Sequence, residues 1–243
     1  MISYQIASAV KVNRVTIGSA EHVLPIILAI LFCIAIIAIS NQKFSQQQKE
    51  KTLHYLGVFV SLSIIVFHTY YMSLGGYNLS EDLPLFLCSF LALIIPIFTH
   101  YRKYWMYEVL LFWIIAGTLQ GVVTPDIAIG FPSLDYFRYW IVHLGLLTII
   151  FYATLVLNMR PTLKSVFKSF LSLQVYAIIL VGINYVLDAN YSYLNRKPES
   201  ASALDYFGDW PYYLLVMEAI LIPFFLLIYL PFYLTRNRAK KTS

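Results

Sequence analysis

Charge is what this chain of 243 residues has least of. Charged residues make up 12%, where a soluble domain carries roughly 25%, so a solvated globular surface is excluded. Cysteine is nearly absent. Cys33 and Cys88 fall at different depths of apolar stretches and are not expected to pair, so no disulfide scaffold and no redox compartment can be argued. The chain has no Gly-rich phosphate loop, no H-E-x-x-H and no C-x-x-C. Its five histidines are too dispersed to suggest a metal by spacing, so neither a cofactor nor a metal is expected. No basic cluster with interleaved aromatics stands outside the apolar stretches except the tail Arg236, Arg238, Lys240 and Lys241. The net charge of +5 therefore reads as membrane topology and not as nucleic-acid binding. The last apolar stretch contains no lysine, which removes the amine a retinal Schiff base would need.

What is present is apolar length. Hydrophobic residues make up 60% and gather into seven stretches at 23–40, 55–74, 83–99, 105–123, 139–157, 167–187 and 211–234. Each is long enough to cross a hydrocarbon core of about 30 Å at 1.5 Å per residue. None alternates apolar with polar residues as a membrane barrel strand would. The expected fold is an all-α membrane protein, a seven-transmembrane-helix bundle in a single polytopic domain, 1–243. Twenty tyrosines, many near the ends of the stretches, suit the headgroup layer. The longest stretch between spans, 188–210, carries Asp188, Glu199, Asp205 and Asp209 and reads as a connector or a cap over the bundle; 41–51 reads as a short linker.

Loops of a seven-span chain alternate between two faces. One holds Lys11, Arg14, Arg138, Arg196 and Lys197, five of the 17 Lys and Arg; the other holds the remaining twelve. Positive charge marks the cytoplasmic face, which puts the N-terminus outside and the C-terminus in the cytoplasm. Lys11 and Arg14 before the first span are a weak signal for the reverse.

Polar residues within spans are costly, about 2.5–3.5 kcal/mol for a central charge, and mark where function is sought. Counting from the outer ends at 1.5 Å per residue places Cys88 about 7 Å deep and Glu218 about 10 Å deep. His143 falls beside Cys88 in depth. His68, Gln120 and Asn184 share the outer half, and His22 sits at the mouth of the first span, whereas Glu108 alone lies toward the cytoplasm. A thiol is a poor nucleophile until a base takes its proton, which a histidine can do and then return it to the leaving group. Cys88 and His143 are the candidate nucleophile and base, with Glu218, Asn184 or His68 to orient the imidazole. Taken singly, each has a plainer reading: Cys88 as a small buried hydrophobe, His143 as a core histidine, Asn184, Gln120 and Glu218 as interhelical glue. Cys33 has no polar company and reads as packing. Gly117 and Gly121 form a small-xxx-small pair, a packing feature first.

The segments Leu83-Pro84-Leu85-Phe86-Leu87-Cys88-Ser89, Tyr107-Glu108 through Trp113, Gly117-Thr118-Leu119-Gln120 with Thr124-Pro125-Asp126, and Trp140-Ile141-Val142-His143-Leu144-Gly145 resemble successive motifs of the YwaF-like bacterial integral membrane proteins. These group with the eukaryotic transmembrane protein 164 family. Arg160-Pro161, Asn184-Tyr185, Ala189-Asn190-Tyr191, Lys197-Pro198, Asp209-Trp210-Pro211 and Tyr229-Leu230-Pro231-Phe232 follow the same pattern. The resemblance implies a lipid acyltransferase or lipase-like enzyme acting on phospholipid acyl esters. Cys88 would carry a thioester, and His143 would serve as base and acid. It also implies membrane lipids as partners and a bacterial plasma membrane. Phe86 departs from the pattern, which has a polar residue there, often His; either the chemistry differs or the position only lines the pocket. Fold does not carry function by itself, so a lipid- or small-molecule-binding or transport-associated protein, and an assembly partner of other membrane proteins, stay open.

A reporter fused after Ser243 is expected on the cytoplasmic side. Its appearance outside the cell would overturn the topology.

Overall fold

The computed structural model describes residues 14–198 and 203–241; Lys11, Glu199 and the side chains of Arg236, Arg238, Lys240 and Lys241 lie outside the described residues. Within them the chain is helical and has no strand. We number the helices α1 Ala20–Lys43, α2 Gln46–Ser73, α3 Leu87–Tyr101, α4 Tyr104–Val123, α5 Leu134–Leu155, α6 Leu163–Leu187 and α7 Tyr212–Lys241. Six are long and apolar enough to cross a membrane, and α3, with 15 residues, is the shorter one. At 1.5 Å per residue it spans about 22 Å, less than the roughly 30 Å hydrocarbon core.

The expected third span at 83–99 therefore begins four residues late. Its first residues form a turn whose backbone finds side-chain partners instead of a helical ladder: Leu83 N donates to the Tyr191 hydroxyl at 2.9 Å, and Leu85 O accepts from Tyr176 at 2.7 Å. Cys88 is accordingly the second residue of α3, and the 7 Å depth read from a helix starting at 83 does not hold. The linker expected at 41–51 shrinks to Phe44 and Ser45. Ser45 Oγ caps Gln48 N while Gln48 Oε1 accepts from Ser45 N at 2.8 Å, a reciprocal box that starts α2 early. Ser133 caps Tyr136 N at 3.0 Å and starts α5 five residues ahead of the expected span.

Helix α5 is the centre of the bundle, packed against α1, α2, α3 and α4, while α6 lies on α4 and α7 on α6. Burial says the same: 61% of the apolar window of α5 is buried, against 6% for α1, whose outer surface is left to lipid. Close approaches are made at glycines. Gly145 of α5 sits against Val60 of α2, and Gly57 of α2 against Thr99 of α3, where a Cβ would come within 2.3 Å of Thr99 Oγ1. Cys33, expected to lack polar company, reaches Thr148 of α5 because α1 lies along that helix.

In the first turns of α4, Glu108 is buried and accepts from Ser165 Oγ at 2.7 Å and from Lys168 Nζ. Beside it the Tyr107 hydroxyl donates to Met159 O at 2.9 Å and lies 3.0 Å from Thr154 Oγ1. At the opposite end, Asn184 clamps Tyr191 through both backbone groups, accepting from its N at 2.8 Å and donating to its O at 3.1 Å. This ties the connector after α6 down over the 83–86 turn.

Gly57→Ala is expected to lower stability by about 1–3 kcal/mol through overpacking, read as a lower melting temperature in detergent. Adding Thr99→Ala should recover most of the loss, since it removes the atoms the new methyl meets. An unchanged melting temperature in the single variant would mean that α2 and α3 are not pressed together there.

Candidate active site

Cys88 sits in the first turn of α3. The preceding Phe86 is the N-cap and offers no side-chain oxygen, and the helical ladder opens with Phe90 N on Phe86 O at 2.9 Å. The N–H groups of Leu87, Cys88 and Ser89 therefore precede the ladder, in the part of a helix that carries partial positive charge and favours an anion. The thiol reaches Thr118 Oγ1 at 4.0 Å. Thr118 is fully buried and ends the short π-helical stretch Ile114–Thr118 inside α4. Such insertions recur at functional sites because they re-aim side chains on the following turn.

His143 is buried in the middle of α5. Its Nδ1 lies 2.8 Å from Tyr139 O. A carbonyl only accepts, so Nδ1 carries the proton and Nε2 keeps its lone pair. The ring also stacks on that of Tyr139, with centroids 4.0 Å apart. Nε2 faces α4: a Cβ on Gly121 would stand 2.6 Å from it. The neighbour of Cys88, Thr118, and the neighbour of His143, Gly121, are thus one turn apart on α4. Gly117, one position earlier, meets Leu87, since a Cβ there would lie 2.8 Å from its Cδ2. The Gly117–Gly121 pair is what lets α3 and α5 both close on this face. Arg138 acts electrostatically on both Cys88 and His143. It is held by Asp135 at 2.5 Å, with its guanidinium 4.4 Å from the Phe67 ring centroid. Among the described residues no hydrogen bond joins Cys88 directly to His143.

The other polar residues do not share this contact. His22 accepts from Gly18 N at 2.9 Å through Nδ1 and lies 2.9 Å from Val122 O through Nε2, so both ring nitrogens are engaged and Nε2 is the donor. It caps the end of α4. Asn184 is committed to Tyr191, and Glu218 accepts from Gln174 at 2.7 Å, between α7 and α6. Gln120 is exposed and donates to Thr124 Oγ1 at 2.9 Å. His68 lies 3.1 Å from the Tyr77 hydroxyl. That hydroxyl gives its proton to Asp82 O at 2.6 Å, so His68 Nδ1 is the donor. Burial, with the Asp82 carboxylate adding, holds the Tyr77 phenol above its ordinary range and keeps it protonated at neutral pH. The imidazole of His143 is oriented by a backbone carbonyl and a stacked phenol, and not by the side chains of Glu218, Asn184 or His68.

Residue-type reasoning passed over Thr118, Tyr139 and Tyr176. Thr118 and Tyr139 are ordinary membrane-helix residues, and only the nearby glycine pair signalled a close approach. Phe86, where the resemblance leads one to expect a polar side chain, packs instead against Tyr191 and Tyr193, with ring centroids 5.5 and 5.4 Å apart.

No curated protein and no solved structure matches the chain. The model of the TMEM164 family matches residues 17–229, a span that includes every helix contributing to the Cys88–His143 face. The chain is an integral membrane protein and belongs to the TMEM164 family.

Proposed function

We propose that this protein is a membrane-embedded lipid acyltransferase or lipase-like enzyme that acts on phospholipid acyl esters, with Cys88 as nucleophile and His143 as general base and acid. One observation carries the reading. Cys88 at the uncapped start of α3 and His143 with a free Nε2 lie against successive turns of α4, at Thr118 and Gly121. In this mechanism the thiol proton passes to His143 Nε2 and the thiolate attacks the ester carbonyl. The C–S bond forms as the carbonyl π pair moves onto oxygen, toward the N–H groups at the start of α3. Collapse breaks the C–O bond, the departing alkoxide takes the proton from His143, and a thioester remains. An acceptor hydroxyl, or water, reverses the sequence. Apo geometries of catalytic pairs are often longer than those formed with substrate, so the absence of a direct Cys88–His143 bond is compatible with this step.

The same reading takes 1–243 as one membrane domain of seven spans. Helix α3 and the turn before it together make the third crossing, with the N-terminus outside and the C-terminus cytoplasmic, in a bacterial plasma membrane with lipids as partners. A site that binds lipid without covalent chemistry is the second reading. It is favoured by the Cys88 thiol turning to Thr118 in place of His143.

Purified protein incubated with phospholipid is expected to gain an acyl-sized mass on Cys88 that hydroxylamine releases and Cys88→Ala lacks. No adduct, with an unreactive thiol, would favour binding alone. His143→Ala should slow acylation by about 10²–10⁴-fold. Gly121→Ala puts a methyl where Nε2 sits and should slow acylation comparably while leaving Cys88 open to alkylation. Full activity in Gly121→Ala would remove Nε2 from the mechanism.

A further inference from the structure

Helix α1 is fastened to α5 near both of its ends and stands apart from α2 between them. Near the start, Pro25 has no N–H to give the Glu21 carbonyl, and the Tyr136 hydroxyl of α5 donates to that carbonyl at 2.8 Å instead. Near the finish, the Tyr152 hydroxyl of α5 donates to Ser40 Oγ at 2.9 Å, and Asn41 Nδ2 donates to Leu155 O at 3.4 Å. The two helices therefore run side by side in the same direction. Helix α2 packs on another strip of α5, with Val60 on Gly145, and among the described residues it has little contact with α1.

The wedge left between α1 and α2 is a groove of about 330 Å³. Leu28 and Phe32 of α1 and Phe59 of α2, all exposed, form its rim, and Leu144 and Gly145 of α5 form its floor. Trp140 stands at the end nearer Pro25, its ring stacked on His22 with centroids 5.9 Å apart. Thr148 stands at the other end, its hydroxyl already donating to Leu144 O at 2.8 Å. No charged side chain is among the lining residues. Water needs two to four polar partners and does not find them here, while an empty groove forfeits the dispersion contacts of its walls. From Pro25 to Phe32 the groove is about 10 Å long, and a helix occupying that length would need about 900 Å³ or more. The space fits a slim hydrocarbon chain.

We propose that this groove is a lipid site that holds one acyl chain of a membrane phospholipid, with the headgroup left outside it near the first turn of α1. Pro25 is about 7 Å into that helix, so a chain entering from the headgroup layer reaches the groove directly. The hydrogen bonds at the two ends of α1 keep the slot open before the chain arrives, as a preformed ligand pocket is. The site is separate from the Cys88–His143 face. Ile141 and Gly145, two positions either side of His143, line the groove and at about 100° per residue point away from that histidine, whose Nε2 faces Gly121 of α4. The proposal therefore does not depend on Cys88 being a nucleophile.

The test uses full-length protein in phosphatidylethanolamine–phosphatidylglycerol vesicles doped with a phosphatidylcholine that carries a diazirine on one chain. Adducts formed on irradiation are mapped by peptide mass spectrometry, and detergent-extracted protein is weighed by native mass spectrometry. Adducts are expected at Phe32, Phe59 and Leu144 in excess over those at Ile178 and Val186, exposed residues of α6 that meet bulk lipid. A single intact phospholipid should survive detergent exchange. Ala29→Phe fills the groove from α1 and should cut the groove adducts by about tenfold, the loss of about two buried methylenes, with the α6 adducts unchanged. Leu28→Trp, at an exposed rim position, should do the same by covering the mouth. The wild-type ratio stands whether or not either variant folds. Both signals should persist in Cys88→Ala, so failure of the acyl-enzyme reading leaves this site untouched. Adducts no denser in the groove than on α6 would mean boundary lipid only and overturn the proposal. So would retention of free fatty acid alone, or a native-mass dimer that Leu28→Trp dissociates, which would give the groove to a second copy.

Discussion

The C-terminal end of α4 is where the structure is decided. A helix stopping in or near hydrocarbon leaves its last carbonyls without partners, and the membrane offers no water to replace them. Here Gly121 O accepts from the Tyr139 hydroxyl at 2.8 Å, and Val122 O lies 2.9 Å from His22 Nε2. One cap comes from α5 and the other from α1, so satisfying α4 pulls both helices onto its last turn. That turn carries the small Gly121 and follows directly on Thr118. The residues that gather Cys88 and His143 are therefore positioned by helix-end hydrogen bonding, whatever chemistry they go on to perform.

The two ends of the bundle use similar residues to opposite effect. At the end where α4 begins, Glu108, Lys168, Ser165, Tyr107 and Thr154 pair with one another or with backbone carbonyls. A fully satisfied buried network rigidifies and offers nothing to a ligand. At the end where α4 stops, the α3 N-terminus has no side-chain cap, and His143 Nε2 has no hydrogen-bond acceptor or donor opposite it among the described residues. Unused hydrogen-bonding capacity gathered around a thiol and an imidazole distinguishes this end, and the left-handed Ser192 and Tyr193 add backbone strain to it.

How far the residues could be read in advance differs from one to the next. Apolar length located the helices, because crossing hydrocarbon imposes a run that no loop mimics. The helix starts were misplaced wherever a polar cap lay outside the apolar run, as at Ser45 and Ser133, or where tyrosines replaced the ladder, as at 83–86. His22 and His143 are each an isolated histidine in the sequence. One has both nitrogens engaged as a helix cap, and the other keeps one lone pair. That difference depends on carbonyls contributed by other helices, or by the same helix one turn back, and no spacing encodes it.

The amino-acid sequence by itself determined that the protein lives in a bilayer, that it is helical, and that costly polar groups cluster toward one end, since each of these follows from the transfer free energy of side chains and backbone. Only the tertiary structure decided which of those groups meet. Asn184, Gln120 and Glu218 were drawn off to Tyr191, Thr124 and Gln174. Cys88 and His143 were left facing the Thr118–Gly121 turn. The physical reason is that depth along a helix is a local property of the chain, whereas azimuth about the helix axis is set by which neighbours can approach, and here two glycines on α4 set that approach.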